Sequence, residues 1–414
     1  MKILVIHQYF LEKDGAGGSR FNEFCKFWSL AGHNVTVIAG NVDYASGEKK
    51  KKYVKKWIVK EKGENNVMVL RCFVASTYNK SFLGRLWGYV SFTLSSCWAV
   101  IFYIRGYDVV IATSPPLYVA FTGYLASRIM HIPLIFEVRD LWPKFAIDLH
   151  ILKNKAYIRF AYWLEDFIYR KSALINVLTP AFEEYLINEK KVQKEKIIYI
   201  PNGADLDLCV PSNKKNLVRE KYAWGEKFII LYTGAHGVAN DLWHIINVAE
   251  KIADKYDILF VLIGNGMEKV KLELYVKEKN ISNVQFLNSV PKNEITDYIN
   301  AADVCTAILD SIFTTTFPNK VFDYMACAKP IILPIDGVVR KLVVDEAGAG
   351  IFVEPKNCEK FIQAIDYLKN NKIACDTLGM NGYEFVKEHF DRSKLANSYL
   401  NILKKLVYDS QSRT

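Results

Sequence analysis

The sequence predicts an α/β protein made of two doubly wound, Rossmann-like domains. Short apolar runs rich in β-branched residues recur along the whole chain, and helical patterns lie between several of them. Strands that alternate with helices favour parallel sheets covered on both faces, and the runs are too many for one sheet of usual size. The predicted strands are 3–7, 35–39, 67–74, 109–113, 134–138, 174–179 and 197–200, followed by 228–233, 258–263, 284–287, 304–308, 331–334 and 350–353.

The boundary between the domains is predicted at the turn Pro201-Asn202-Gly203, after which the strand series restarts. At 414 residues the chain is long enough for two cores, and its 51% hydrophobic and 24% charged residues are ordinary for globular proteins. We therefore expect a first domain over 1–204, a second over 205–385, and a C-terminal helix over 386–414 that crosses back to the first.

Cysteine usage and charge restrict the compartment and the partners. The eight cysteines are scattered without a Cys-x-x-Cys pair, and no cleavable signal precedes the first predicted strand, so we expect a cytoplasmic protein without disulfides or zinc. The net charge of +10 is modest, and no nucleic-acid partner is expected. The charge is uneven, however, because residues 48–62 hold eight lysines against two glutamates.

A glycine-rich loop, "KDGAGGSR", follows the first predicted strand and precedes a predicted helix. It does not fit the dinucleotide fingerprint, because Arg20 stands where the third glycine is needed and no acidic residue ends the second strand. Gly17 and Gly18 before a helix start nevertheless leave backbone N–H groups that suit a phosphate or a sugar. The alternative is a surface loop without a ligand.

The second domain repeats this arrangement. Gly234 and Gly237 follow one predicted strand, and Gly264 and Gly266 follow the next, so both turns are predicted to present helix N-termini to an anion. In "FPNKVFDYMA" a lysine and an aspartate lie three residues apart on one helix face, at Lys320 and Asp323. They form either a ligand site for phosphate and ribose or a plain surface salt bridge.

These motifs together resemble glycosyltransferase family 4, whose members have the GT-B fold with two Rossmann-like domains facing across a cleft. The resemblance spans essentially the full length and rests on "GAGGSR", "EVRDLWP", "IPNGAD", "YTGAHG", "LIGNG" and "PNKVFDYMACAKPI". "VRDLWP" and "FPNKVFDYMA" are similar to the branch of fucosamine transferases of O-antigen and capsule assembly. The resemblance implies a retaining transferase of the hexosyltransferase type, with the nucleotide sugar on the second domain and the acceptor on the first.

The resemblance also implies roles for single residues. Lys320 would stabilise the diphosphate as it leaves, Asp323 would bind the ribose, and Arg139 and Asp140 would orient the sugar or the acceptor. The chain departs from the family at Thr315, where a glutamate is usual, and in the turn after Tyr232, where relatives place an arginine and a lysine. The implied donor-binding residues are Gly17, Gly18, Gly234, His236, Gly237, Asn240, Gly264, Gly266, Ser289, Val290, Pro318, Asn319 and Asp323.

Neither a metal nor a cofactor is expected, and the resemblance implies a UDP-linked donor. Asp205-Leu206-Asp207 has the D-x-D form of some metal sites, but its place at the domain boundary favours turn capping. His7 ends the first predicted strand, where a place in the cleft and a structural role are equally consistent with the sequence.

Residues 82–105 are relevant to whether the protein binds a membrane. Nineteen uncharged residues separate Arg85 from Arg105, nearly enough to span a bilayer. We interpret 86–104 as a helix partly buried against the sheet and partly dipped into a membrane interface. The lysine stretch Lys49–Lys62, with Tyr53 and Trp57, and the aromatic helix 157–171 would supply charges and interfacial rings; the alternative is a solvated loop and a core helix.

The sequence therefore predicts a transferase that lies on the cytoplasmic face of the plasma membrane and acts on a lipid-linked glycan. A nucleotide-sugar epimerase of the same two-domain fold is the alternative, and a sugar-binding module without catalysis is a third. Which sugar moves, to which hydroxyl, from which base and in what oligomeric state are left open.

Overall fold

A computed structural model describes residues 1–12, 15, 18–43, 47–77, 82–255 and 257–412, without the side chains of 82 and 83. The chain forms two compact units, Met1–Pro201 with Ser393–Thr414, and Asn202–Arg392. The boundary thus follows Pro201 and not residue 204, and the second unit continues to Arg392 and not only to residue 385. The two-domain α/β class predicted from the strand pattern is confirmed.

The first unit is built on an eight-stranded sheet with the order β3-β4-β2-β1-β5-β6-β7-β8. Adjacent strands of this sheet are parallel, except that β3 pairs antiparallel with β4 at the edge. The sequence pattern missed β3, because its lysines at alternate positions hide the apolar signal that marks a strand. The strands are β1 Lys2–Ile6, β2 Asn34–Gly40, β3 Ile58–Lys62, β4 Met68–Cys72, β5 Val109–Ser114, β6 Leu134–Val138, β7 Leu174–Val177 and β8 Ile197–Tyr199.

Helices cover both faces of this sheet. They are α1 Arg20–Leu30, α2 Phe82–Tyr103, α3 Val119–Met130, α4 Lys144–Asp148, α5 Lys155–Lys171, α6 Pro180–Asn188 and the C-terminal α15 Arg392–Gln411. One core lies between the sheet and helices α1 and α15, and a second lies between the opposite face and helices α2 and α3. Trp28 of α1 donates a hydrogen bond to the carbonyl of Ala396, so the C-terminal helix packs on the first unit.

The second unit has a six-stranded, fully parallel sheet with the order β11-β10-β9-β12-β13-β14. Its strands are β9 Phe228–Thr233, β10 Ile258–Ile263, β11 Val284–Leu287, β12 Val304–Thr306, β13 Ile331–Leu333 and β14 Gly350–Phe352. Its helices are α7 Leu217–Lys221, α8 Leu242–Lys251, α9 Lys269–Glu278, α10 Ile295–Ala301, α11 Asn319–Ala326, α12 Val338–Arg340, α13 Cys358–Asn370 and α14 Lys372–His389. Two apolar cores, one on each face, account for the near-continuous apolar strands.

A buried ion pair joins the elements of the first unit. Arg20 at the start of α1 donates from Nε to Glu137 Oε1 on β6 at 2.5 Å, and both side chains are almost fully buried. Arg20 also donates to the carbonyl of Ile200, while Asn176 on β7 and Tyr399 on α15 donate to Glu137 Oε2. These bonds satisfy the charges that burial would otherwise penalise.

Replacing Glu137 by leucine should therefore lower the free energy of unfolding by about 3–5 kcal/mol, because the Arg20 guanidinium stays buried without its counter-charge. Urea denaturation measures this loss. The double variant Arg20→Met/Glu137→Leu should regain part of it, and Lys144→Ala, which breaks the exposed pair with Asp148, should leave the midpoint nearly unchanged. Equal midpoints for Glu137→Leu and Lys144→Ala would contradict this account.

Candidate active site

Two glycine turns meet at the carboxyl ends of β9 and β10. The Gly234 N–H donates to the Ile263 carbonyl, and the His236 N–H donates to the Asn265 carbonyl. A Cβ on Gly264 would lie 1.8 Å from the Gly234 carbonyl oxygen, and Gly264 has a φ of 153°. Only glycine allows this approach, so the predicted glycine positions bring the two loops into contact.

The sequence predicted that the turn after β9 presents the N-terminus of an α-helix to an anion. The structure differs from this prediction. Gly237 precedes a short 3₁₀ segment, Val238–Asn240, and α8 begins only after Asp241. Asp241 has a φ of 40° and brings a carboxylate to the helix start, where an anion would be repelled. An anion at this turn would therefore depend on side chains and not on the α8 dipole.

Lys320 on α11 carries the cation at this site. Its Nζ lies 3.8 Å from the centre of the Tyr232 ring, and a Cβ on Gly234 would approach it to 2.8 Å. The side chain is partly accessible, but its Nζ is buried and has no hydrogen-bond partner among the described residues. Burial lowers the pKa of Lys320 to about 7, so near neutral pH this lysine lies between its charged and neutral forms.

Tyr232 holds its place beneath Lys320 through its hydroxyl group. The hydroxyl lies 2.9 Å from the Ala235 carbonyl oxygen and 2.9 Å from Asn240 Oδ1. Asn240, predicted to bind the donor, thus accepts a hydrogen bond from the hydroxyl of the tyrosine that lies under the lysine. On the same strand, the Thr233 N–H donates to the Tyr324 hydroxyl of α11 at 2.8 Å, which fixes the helix that carries Lys320.

His236 is the second buried polar group of the site. Burial first, and then the charges of Lys269 and Lys320, lower the pKa of His236 to about 4, so its ring is neutral. Neither ring nitrogen has a hydrogen-bond partner among the described residues, and the same holds for Asn319 Oδ1 next to Lys320. Buried polar atoms without partners are rare in native proteins, and here three such groups cluster at one edge of the sheet.

Lys269 at the start of α9 connects the loops that follow β10 and β11. Its Nζ donates to the Gly264 and Leu287 carbonyls and to the side-chain oxygens of Asn265 and Asn288, all within 3.1 Å. Lys269 is therefore a structural cross-link, in contrast to Lys320, whose Nζ has no hydrogen-bond partner among the residues described. It positions Gly264 and Gly266 and the segment after β11 that holds Ser289 and Val290, both half-buried.

Asp323 does not pair with Lys320, so the surface salt bridge considered from the sequence is wrong. Asp323 Oδ2 instead accepts from Lys292 Nζ at 2.6 Å, and both side chains are mostly buried. Cys209 Sγ lies 3.7 Å from Asp323 Oδ1. The carboxylate is thus oriented by its neighbours, and a ribose would have to share it with Lys292.

A separate polar cluster lies in the first unit, at the carboxyl ends of β1, β5 and β6. His7 Nδ1 is 2.7 Å from Thr113 Oγ1, and Arg139 Nη1 is 3.5 Å from His7 Nε2. Burial, reinforced by Arg139 and Arg71, holds the pKa of His7 well below its usual value. Since Arg139 can only donate, Nε2 is the acceptor and Nδ1 carries the proton. His7 belongs to this cluster.

Asp140 follows Arg139 and is half-buried. Desolvation raises the pKa of its carboxyl to about 6, against the opposing effect of Arg139. Gly18 lies two residues before the start of α1, whereas Gly17 lies outside the described residues. The first unit thus has an arginine, a neutral histidine and a carboxyl of raised pKa at one sheet edge.

The Asp205-Leu206-Asp207 segment forms a capped turn, in which the Asp207 N–H donates to Asp205 Oδ1 at 3.1 Å. In the described part of the chain, no three His, Cys, Asp or Glu side chains lie close enough together to hold a metal ion.

Sequence reasoning missed three residues that build the site in the second unit. Tyr232 is the last residue but one of a predicted strand and carried no predicted role, although its ring lies within cation–π distance of Lys320. Lys269 and Lys292 look like ordinary surface lysines, and no local signal separates them from the other lysines of the chain. Only the fold brings them to the glycine loops and to Asp323.

Two family models match the chain, and together they cover most of it. Residues 15–203 match "Glycosyl transferase 4-like domain", and residues 214–385 match "Glycosyl transferases group 1". The fold and these matches define a two-domain GT-B glycosyltransferase. The chain thus carries a glycosyltransferase 4-like domain in its first unit and a group 1 glycosyltransferase domain in its second.

Related proteins agree with this class. The chain is 22% identical over 423 residues to a protein named as the colanic acid biosynthesis glycosyl transferase WcaI of Escherichia coli K12, covering 97% of this chain and 99% of that protein. It is 24% identical to the Escherichia coli UDP-Gal:alpha-D-GlcNAc-diphosphoundecaprenol alpha-1,3-galactosyltransferase over 64% of this chain and 69% of that protein.

Solved structures show the same fold. A sucrose-phosphate synthase from Thermosynechococcus elongatus superposes with a TM-score of 0.77 at 17% identity over 99% of both chains. Anabaena HepE in complex with UDP and glucose superposes with a TM-score of 0.70 at 16% identity, over 98% of this chain and 99% of that one.

The buried Lys320 predicts a pH-dependent cost in stability. Its folded pKa lies below the usual value of 10.5, so between about pH 7 and 10.5 the unfolded state binds more protons and this group makes stability rise with pH. Lys320→Met should therefore be more stable than the wild type, most of all below pH 7. Above pH 7, the difference in the free energy of unfolding between the variant and the wild type should shrink by up to about 1.4 kcal/mol per pH unit.

Urea denaturation from pH 6 to 9 measures this difference. Lys271→Met, at an exposed lysine paired with Glu268, is the control and should give no such trend. A constant difference between wild type and Lys320→Met across this range would show that the Lys320 pKa is not depressed.

Proposed function

We propose that this chain is a retaining, metal-independent glycosyltransferase that moves a sugar from a nucleotide diphosphate to a lipid-linked glycan. The observation that carries the proposal is the Lys320 ammonium, which is buried among glycine turns and has no anionic partner among the described residues. A diphosphate supplies the missing negative charge and the acceptor oxygens. The two ring nitrogens of His236 and the Asn319 Oδ1, which also lack partners among the described residues, contact the same ligand in this proposal.

The donor is bound by the second unit in this proposal. The diphosphate lies against Lys320, the Gly234 and Gly264 turns and the start of α11 at Pro318, and Asp323 accepts hydrogen bonds from the ribose hydroxyls. Ser289 and Val290 meet the base. UDP is the proposed carrier, supported by the family resemblance and by the UDP bound to Anabaena HepE, which has the same fold.

The proposed chemistry needs no protein nucleophile. The acceptor hydroxyl oxygen forms a bond to the sugar C1 on the face from which the diphosphate departs, and the C1–O bond to the diphosphate breaks. The hydroxyl proton passes to the departing phosphate oxygen. Lys320 donates to that group as its negative charge grows, which lowers the energy of the transition state more than that of the bound donor.

The proposed class of acceptor rests on the names of related proteins. One is named for a diphosphoundecaprenol-linked acceptor and another as an O-antigen chain mannosyltransferase, which supports a role in surface polysaccharide assembly for this chain. An N-acetylated or deoxy amino sugar of the fucosamine type is the proposed transferred group, from the resemblance of "VRDLWP" and "FPNKVFDYMA". The family matches give no support to the epimerase alternative.

Kinetics of two variants test the donor site. Lys320→Ala should lower kcat by roughly 10²–10³, by analogy with other preorganised donors to a developing anion. Asp323→Ala should mainly raise KM for the donor, because the ribose is bound alike in the ground and transition states. Both are measured by release of nucleotide diphosphate that depends on the acceptor.

Lys271→Ala serves as the surface control and should be indistinguishable from wild type. Near-wild-type kinetics for Lys320→Ala would overturn the assignment of the phosphate site. Loss of activity with EDTA that magnesium or manganese restores would overturn metal independence, and donor consumption without an acceptor would point to the epimerase.

The first unit has an exposed apolar surface suited to a membrane. Helix α2 packs Phe92 on the sheet and Ser96 on α3, yet Trp98 and Phe102 on its outer side are 50% and 59% exposed. Among the described residues, only Gly84–Tyr103 is long and apolar enough to span a bilayer, by length and composition alone, and 39% of its most apolar window is buried. The other large exposed apolar residues of this layer are Trp87, Leu94, Ile101 and Tyr103 of α2, Phe121 and Ile129 of α3, and Phe160 and Trp163 of α5.

The lysine stretch Lys49–Lys62 is more structured than a solvated loop. Lys50 and Lys52 pair with Glu12, and Tyr53 is buried, so the interfacial role expected of that tyrosine is wrong. Trp57 is 46% exposed and stacks on Phe73. The exposed lysines at 51, 55 and 56 remain as candidates to contact an anionic surface.

We propose that these lysines and the α2 surface hold the protein peripherally on the cytoplasmic membrane face. Replacing Lys51, Lys55 and Lys56 by glutamine should weaken binding to phosphatidylserine vesicles by about 1 kcal/mol for each lysine in contact, and less at high salt. Trp98→Ser/Phe102→Ser should weaken binding at every salt concentration. Sedimentation measures both, with the exposed Lys277 and Lys279 replaced as control. Unchanged sedimentation of both variants would exclude this surface.

A further inference from the structure

We infer that four aromatic residues of the first unit, Tyr89, Tyr118, Trp142 and Tyr157, form a subsite for a pyranose ring of the acceptor glycan. This inference rests on the proposed function, because it names the part of the first unit that holds the acceptor sugar.

The four side chains come from four different elements and meet in one cluster. The Tyr118 ring centre lies 6.4 Å from that of Tyr89 and 6.3 Å from that of Trp142, and Trp142 lies 6.4 Å from Tyr157. The Tyr118 and Tyr157 hydroxyls are hydrogen-bonded to each other. Tyr89 is on α2, Tyr118 precedes α3, Trp142 precedes α4, and Tyr157 is in the first turn of α5.

The cluster differs from core packing in its exposure. All four rings are half-buried, whereas Tyr169 and Tyr399 of the same unit are almost fully covered. The Trp142 Nε1–H has no acceptor among the described residues. Tyrosine and tryptophan combine an apolar ring with a polar tip, which is the composition of ligand pockets that hold a partly apolar molecule in one orientation.

The hydroxyl pair has unused hydrogen-bonding capacity. Each phenol has one proton and accepts through its lone pairs, so when one of Tyr118 and Tyr157 donates to the other, the second keeps a proton to donate. The Trp142 Nε1–H is another donor that has no partner among the described residues. A pyranose offers an apolar C–H face to the rings and hydroxyl groups to these donors, and it therefore matches the cluster better than a purely apolar or a charged ligand.

The position of the cluster fits an acceptor. Tyr118 and Trp142 follow β5 and β6, whose last residues Ser114 and Val138 pair in register, and Arg139 donates its N–H to the Ser114 carbonyl. Tyr118 and Trp142 thus lie on the neighbouring loops after β5 and β6, and the loop after β6 also holds Arg139 and Asp140.

The exposed apolar residues of α2, α3 and α5 continue from this point along the same helices. Trp87, Phe121 and Phe160 lie within three residues of Tyr89, Tyr118 and Tyr157, respectively. A lipid-linked glycan could place its lipid toward this surface and its sugar on the cluster.

Saturation-transfer NMR with methyl glycosides of glucose, galactose, mannose and N-acetylglucosamine tests the subsite without catalysis. At least one glycoside should receive saturation on its C–H protons from the wild-type protein. Tyr118→Phe and Tyr157→Phe keep the rings and should weaken binding about threefold to tenfold, the usual range for one lost hydrogen bond. Trp142→Leu should abolish the signal.

Trp163→Leu, at an exposed tryptophan of α5 outside the cluster, is the matched control and should bind as the wild type does. Unfolding midpoints of the two Tyr→Phe variants should stay close to wild type, so that lost binding is not a loss of fold. Absence of saturation for all four glycosides, or an undiminished signal in Trp142→Leu, would overturn the inference.

The transfer assay separates this inference from the proposed function. If the wild type binds a methyl glycoside through the cluster but makes no transfer product, the subsite stands and the proposed activity fails. If transfer occurs and Tyr157→Phe leaves KM for the acceptor unchanged, the activity stands and the subsite fails. The expected result is a raised acceptor KM in Tyr157→Phe with an unchanged donor KM.

Discussion

The site in the second unit depends on one interaction, the contact of the buried Lys320 ammonium with the Tyr232 ring. A cation over an aromatic face gains about 0.5–2 kcal/mol, which does not offset the cost of withdrawing an ammonium from water. The depressed pKa of Lys320 is the sign of that imbalance. The surrounding residues keep the lysine in place: Asn240 holds the tyrosine hydroxyl, and Tyr324 anchors α11 to the strand that carries Tyr232. Such an arrangement is stabilised when an anion arrives.

Each unit contributes a different chemistry. The second unit combines Lys320 with glycine turns that let a ligand approach the backbone, and an oriented carboxylate at Asp323. The first unit combines Arg139 and the neutral His7 with half-buried aromatic rings and an apolar helical surface. The groups of the second unit suit phosphate and ribose. The groups of the first unit suit a sugar that is attached to a lipid. The division matches the proposed separation of donor and acceptor between the two domains.

Local patterns predicted most of the fold because parallel strands that are buried on both faces consist of nearly continuous apolar runs in the sequence. All thirteen predicted strands are present, several with the predicted limits, such as Phe228–Thr233 and Ile258–Ile263. The antiparallel β3 was missed because an edge strand needs no apolar run. The glycine turn after β9 leads into a 3₁₀ segment, so it does not itself present the N-terminus of α8, as the sequence had predicted. The glycines and Lys320 could be found from the sequence through motif spacing.

The partners of these residues could not be found in this way. Tyr232 lies under Lys320, and Lys292 pairs with Asp323, across separations that only the folded sheet closes. The pairing of Lys292 also replaces the expected Lys320–Asp323 contact, because the two residues on α11 have different neighbours. Likewise the aromatic cluster of the first unit joins residues from 89 to 157, which no periodic pattern connects.

The central claim is that Lys320 meets the diphosphate of the donor, and proton uptake on binding tests it most directly. At pH 8 the lysine of pKa about 7 is mostly neutral, and a bound diphosphate should restore its charge. Calorimetry in buffers of different ionisation enthalpy should give about one proton taken up per UDP bound. Lys320→Arg, which is always charged, should bind UDP without proton uptake. Equal proton uptake by wild type and Lys320→Arg, or none in the wild type, would contradict the account.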